Sequence, residues 1–238
     1  MNKLKVLAFL GLLLYILSIS FRLNDEDVIA DGFKSIIFPV VTLLYFITVK
    51  RKSLLFTLFL VCYSMSDLMS FIAPYIPHEL YYFSANTLCI LAYSFLVIEV
   101  LKSISLMYVF KNYKIHLTVL TILNIYIIYV LQTIVDPFTG TSNGYYFELV
   151  YNIMMLMLLS ITLLNYFYKD NLKSLYLFIG ALSMVFGEVI WVANAYISER
   201  HLLSIISTTL YVLALFFFYR QSKLEKEVKR QEFGVALN

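Results

Sequence analysis

Charged side chains are scarce in this chain. Asp, Glu, Lys and Arg together make up 14% of its 238 residues, against roughly 25% in soluble domains. So thin a polar coat cannot cover a water-soluble protein, least of all one with 61% apolar residues and a mean hydropathy of +0.83. Cysteine is almost missing as well. Cys62 and Cys89 both fall inside apolar runs, at different depths, where a free cysteine behaves as a small hydrophobe and a bridge is not expected. His78, His116 and His201 are scattered, so no zinc-type Cys/His cluster forms in the sequence, and neither metal nor other cofactor is expected. With seven glycines and four prolines there is no glycine-rich phosphate loop and no Gly-x-Ser-x-Gly elbow. These deficits exclude a soluble globular enzyme, a structural zinc module and a nucleotide-binding P-loop protein.

Long apolar runs take the place of what is missing. A bilayer-spanning helix needs about 20 predominantly apolar residues, and eight segments come close: 4–21, 31–49, 53–75, 82–101, 115–135, 145–168, 174–197 and 202–219. The second is the weakest, since Lys34 lies near its start and Pro39 inside it. The fold class is therefore all-α, a polytopic membrane protein of eight helices over 1–219, followed by a charged tail over 220–238. Charge placement tests this map independently. Of the 18 lysines and arginines, all but Arg22, Lys34 and Arg200 fall at the N-terminal end, in the connections that share its side, or in the tail. That bias puts both termini in the cytoplasm by the positive-inside rule. Ile, Lys and Asn usage suits a bacterial inner membrane. The basic balance is absorbed by these loops and by contact with anionic lipid headgroups, so nucleic acid is not an expected partner. The tail, "RQSKLEKEVKRQEF", is expected to extend the last helix into water. Residues 1–20 also carry the outline of a secretory signal. A retained first helix is preferred, because it keeps the span count even and both termini on one side.

Ionisable groups inside hydrocarbon are costly and by default mark functional sites. Three stand out. At a rise of 1.5 Å per residue, Asp67 in "YSMSDLMSF" lies roughly 21 Å from the inner end of its helix. Glu188 in "VFGEVIW" also comes out at roughly 21 Å, and Lys34 at about 22 Å. Asn86 and Asn152 fall in the same stratum. One buried acid can be structural, bonding to nearby hydroxyls; two acids and a lysine at one depth form a candidate site. Shifting the chain by 121 positions lays Asp67 on Glu188 and Tyr75-Ile76 on Tyr196-Ile197. That correspondence points to two parallel four-helix repeats that bring the acids face to face across a pseudo-axis. Tyr81, Tyr82, Tyr145, Tyr146, Tyr168 and Tyr219, near span ends, are expected to belong to the interfacial aromatic belt.

The segment "GALSMVFGEVIWVANAYI" resembles the seventh-helix signature of the YhhN family of lysoplasmalogenases, with Gly180, Ala181, Leu182 and Asn194 in register and Gly187-Glu188 in place of Ser-Asp. Ser66-Asp67 resembles the Gly-Asp of the family's third helix, and Lys34-Ser35 the Lys-Pro that opens its second. The likeness spans essentially the whole chain. Tyr93 stands where the family tends to carry His, and Leu215 where it tends to carry Gln. The resemblance implies hydrolysis of the vinyl ether bond of a lysoplasmalogen, a lysophospholipid-type substrate drawn from membrane lipids, to a fatty aldehyde and a glycerophospho-alcohol. Two carboxyls suit that chemistry if one delivers a proton and the other stays ionised. Asp67, Glu188 and Lys34 are then the catalytic candidates. Glu188 acts as the acid, Asp67 orients water or stabilises the cation, with these two roles open to exchange, and Lys34 holds one acid ionised, leaving the other as the proton donor. Asn86, Asn152, Tyr93 and Asn194 are the substrate-binding candidates. The competing readings are a small-molecule or proton-coupled transporter, which also uses midplane acids and repeats, and a non-catalytic membrane protein. An opsin-type Schiff base on the seventh helix is excluded, since 174–197 contains no lysine.

Overall fold

A computed structural model describes residues 3–139 and 142–224. Nine α-helices are present among them: α1 Lys3–Leu23, α2 Asp27–Thr48, α3 Leu54–Leu68, α4 His78–Leu101, α5 Leu106–Asn112, α6 Lys114–Thr139, α7 Ser142–Lys169, α8 Leu172–Tyr196 and α9 His201–Lys223. All but the short α5 contain a stretch long and apolar enough to cross a membrane, so the chain is an all-α, multi-pass membrane protein. Tail residues 225–238, with the expected helical extension, lie outside the described residues.

Helices of this length follow from the near absence of breakers within the apolar runs. Pro39 does not break α2, which starts at Asp27, four residues before the expected 31, and continues to Thr48. Pro137 falls in the last turn of α6. Turns form where short polar side chains satisfy exposed backbone: Asn171 caps α8 by accepting from the Ser174 N–H at 2.9 Å. Asp25 and Asp170 adopt positive φ at the α1–α2 and α7–α8 turns, a conformation Asp tolerates better than most residues.

The third span departs from expectation. Instead of a helix over 53–75, α3 stops at Leu68, and two single-turn 3₁₀ segments, Met69–Phe71 and Ala73–Tyr75, follow it. Fifteen residues of α-helix reach only about 22 Å, short of a hydrocarbon core of about 30 Å. Irregular backbone at such depth is tolerated only where it faces protein or a cavity. Ser70 Oγ donates to Ser35 Oγ at 2.8 Å, and Ser35 Oγ donates to the Asp31 carbonyl at 2.8 Å, tying the irregular segment to α2. The short helix α5, between the fourth and fifth spans, is a further element not anticipated.

Six helices close into a ring in the order α2, α3, α4, α7, α8, α9 and back to α2. α1 packs outside against α2 and α9, and α6 outside against α7 and α8. Exchanging the first four spans with the last four maps α1–α2 onto α6–α7, α2–α3 onto α7–α8, α3–α4 onto α8–α9, and α4–α7 onto α9–α2. Each of those contacts is present. The peripheral helices present wide apolar faces to lipid, with Phe9 and Tyr129 among the most exposed side chains.

One end of the ring is filled with aromatics. On α3, Phe59 and Tyr63 pack against Phe38 of α2, Phe59 also against Phe218 of α9, and Phe56 against Phe59 and against Tyr45 of α2. Phe38 stacks on Tyr63 at 4.5 Å, and Phe59 meets Phe218 edge-on at 5.3 Å. The other end is open, and Tyr63 marks the boundary between the two.

Candidate functional site

Above the aromatic plug the ring encloses a cavity of about 950 Å³, with walls from α2, α3, α4, α6, α7, α8 and α9. Its lining reaches exposed residues His78 and Glu79 at the start of α4, so it meets the surface at that end.

Asp67 and Glu188 both line this cavity. Asp67 sits on the last turn of α3, immediately before the helix gives way to 3₁₀ backbone; Glu188 sits in an unbroken part of α8. Each accepts a phenol hydrogen bond, and the donors are crossed between halves. Tyr63, on α3 one turn before Asp67, donates to Glu188 Oε1 at 2.9 Å. Tyr211, on α9, donates to Asp67 Oδ2. The two rings lie 6.3 Å apart. Hydrogen bonds to a charged group contribute about 1.5–3 kcal/mol each, which offsets part of the cost of holding a carboxylate away from water.

Lys34 lines the same cavity. Its Nζ lies 5.5 Å from the centre of the Tyr211 ring, the ring whose hydroxyl binds Asp67. Among the described residues the ion pairs join Arg22 to Asp27 and Asp31, and His201 to Asp25. Lys34 takes part in none of them.

The remaining candidates divide. Asn86 and Asn152 line the cavity with the acids; Asn152 Nδ2 also donates to Gln132 Oε1 at 3.1 Å. Tyr93 is fully buried behind the wall, with its hydroxyl 3.4 Å from that of Tyr151, and is not a lining residue. Asn194 is turned away too: its Oδ1 accepts the Arg200 N–H at 2.9 Å, which secures the α8–α9 turn.

Several lining residues carry chemistry that sequence reasoning overlooked. Glu148, one turn into the expected sixth span, is a further carboxyl in the wall, as are Asp31 and Glu79, and it accepts a hydrogen bond from Tyr82. Tyr81 and Tyr82 were expected in the aromatic belt, yet both line the cavity. Tyr63 alone left a trace in the sequence, four residues before Asp67 and so on the same helix face. No group of three or more His, Cys, Asp or Glu suited to a metal ion occurs among the described residues. The cysteines are free, and Cys89 Sγ lies 3.1 Å from Ser66 Oγ. Compared with protein-family models, curated proteins and solved structures, the chain gives no match in any of the three.

Proposed function

We propose that the chain is a lysoplasmalogenase-like hydrolase of the YhhN kind, acting on the vinyl ether bond of a lysophospholipid-type substrate. The observation that carries this reading is the meeting of Asp67 and Glu188, from opposite halves, on one cavity that also holds Lys34. Glu188 delivers a proton to the vinyl carbon not bonded to oxygen. Asp67 receives a proton from the water that adds to the resulting oxocarbenium carbon. The hemiacetal so formed releases a fatty aldehyde and the glycerophospho-alcohol, and a proton passes from Asp67 back to Glu188. Lys34 balances the negative charge of the pair. The alkenyl chain lies among apolar wall residues such as Leu131, Val135 and Met184, with Asn86 and Asn152 offering polar contacts. In the same proposal the protein resides in a bacterial inner membrane with both termini cytoplasmic, and the cavity reaches the outer leaflet.

Asp67→Asn and Glu188→Gln keep size and polarity and remove the acid–base function. Each is expected to lower aldehyde release from a lysoplasmalogen in reconstituted vesicles by about a hundredfold or more, with melting unchanged within about 2 kcal/mol. Full turnover in both variants would discard the mechanism.

A second reading, a proton-coupled transporter, is favoured by one observation: α3 is interrupted directly after Asp67, and discontinuous helices often mark transporter binding sites. Solute uptake by vesicles without aldehyde release would support transport over hydrolysis.

A further inference from the structure

Lys34 combines three properties. It is an amine on the wall of a membrane-embedded cavity, it has neither a hydrogen bond nor an ion pair among the described residues, and it shares that cavity with Asp67 and Glu188, two of the five carboxyls in the wall. The rest of the wall includes apolar side chains, among them Leu131, Val135, Met155, Met184 and Val192. A primary amine and a carboxyl that can exchange protons with it are what condensation of an amine with a carbonyl compound uses. The sequence excluded such a lysine on the seventh span; the fold supplies one from α2 instead.

We infer that Lys34 captures long-chain aldehydes as an imine inside the cavity. One of the facing carboxylates takes a proton from the Lys34 ammonium. The free amine adds to the aldehyde carbon, forming the Nζ–C bond of a carbinolamine. The protonated carboxyl then donates to the carbinolamine hydroxyl, the C–O bond breaks, and water leaves. The product is an iminium whose positive charge replaces that of the ammonium, opposite the regenerated carboxylate. One water is released, nothing is oxidised or reduced, and the charge of the cavity is unchanged. Hydrolysis of a vinyl ether would deliver such an aldehyde in place. The imine does not depend on that reading, because a long-chain aldehyde partitions into the bilayer by itself.

Reductive trapping tests this directly. Full-length protein in phosphatidylcholine vesicles is treated with hexadecanal and cyanoborohydride, and every lysine is quantified by peptide mass spectrometry. Lys34 is expected to carry the hexadecyl group about tenfold or more above the average of the other lysines, from proximity alone. Propanal, which dissolves in water, is expected to favour exposed lysines. Lys34→Arg should remove the hexadecanal hot spot and leave the other sites unchanged. In an Asp67→Asn, Glu188→Gln double variant, Lys34 labelling should slow by about a hundredfold, the lower end of what a positioned acid contributes. Lys34 labelling at or below the level of other lysines in the wild-type protein overturns the inference. Preferential labelling that the double variant leaves intact overturns the role given to the carboxyls. Loss of the hydrolase reading alone would show as trapping without aldehyde release, so the two failures are distinguishable.

Discussion

At the residue scale, the informative feature is the crossed pair of phenols. Tyr63 and Asp67 share α3, yet Tyr63 serves Glu188 on α8, while Asp67 is served by Tyr211 on α9. Each carboxyl is thereby aimed by the half of the protein to which it does not belong. Removing one phenol should disturb one acid and spare the other. In infrared difference spectra, Tyr211→Phe is expected to shift the carboxyl band identified by its loss in Asp67→Asn, and Tyr63→Phe the band lost in Glu188→Gln. Each substitution should cost about 1.5–3 kcal/mol of stability if its acid is ionised. Identical spectra from the two tyrosine variants would show that the pairs are not independent.

At the scale of elements, α8 and α9 form the most extensive helix pair of the ring. The helices approach closely because glycines at i and i+7 occupy one face of α8. A Cβ on Gly180 would stand 2.8 Å from two ring carbons of Phe218, a buried side chain of the aromatic plug. At Gly187 the same atom would meet the Ser207 carbonyl at 3.4 Å and Leu210 Cβ at 3.5 Å, which is ordinary contact. Gly187→Ala is therefore expected to be nearly neutral, whereas Gly180→Ala should destabilise by about 1–3 kcal/mol through overpacking. Thermal melts of the two variants check the order; equal effects would contradict the packing. α3 makes the complementary point. Its early end places Asp67 beside non-helical backbone, and hydropathy could not show this, since Met69, Phe71 and Ile72 are as apolar as a helix would need.

At the scale of the whole molecule, the ring and its two outlying helices follow the internal repeat indicated by the 121-residue shift. Alternating spans put the α3–α4 and α8–α9 connections on one side of the membrane and the α2–α3 and α5–α6 connections on the other. Alkaline phosphatase fused after residue 77 or 199 is expected to be active in a bacterial host, and after residue 52 or 113 inactive. The reverse pattern would invert the orientation, and any mixture would change the number of crossings.

Composition and periodicity determined the membrane class, the eight crossings and the depth of the polar residues, because hydrophobic thickness and helical rise are properties of the chain alone. Depth counting thus placed Asp67, Glu188, Lys34, Asn86 and Asn152 in one layer, and all five line one cavity. Rotation about each helix axis was not legible, since it depends on what a neighbouring helix offers. Tyr93 and Asn194 face away from the cavity for that reason, while Tyr82, Glu148 and Tyr211 turn toward it. Only the tertiary structure decided which hydroxyl meets which acid, because those contacts join residues more than a hundred positions apart.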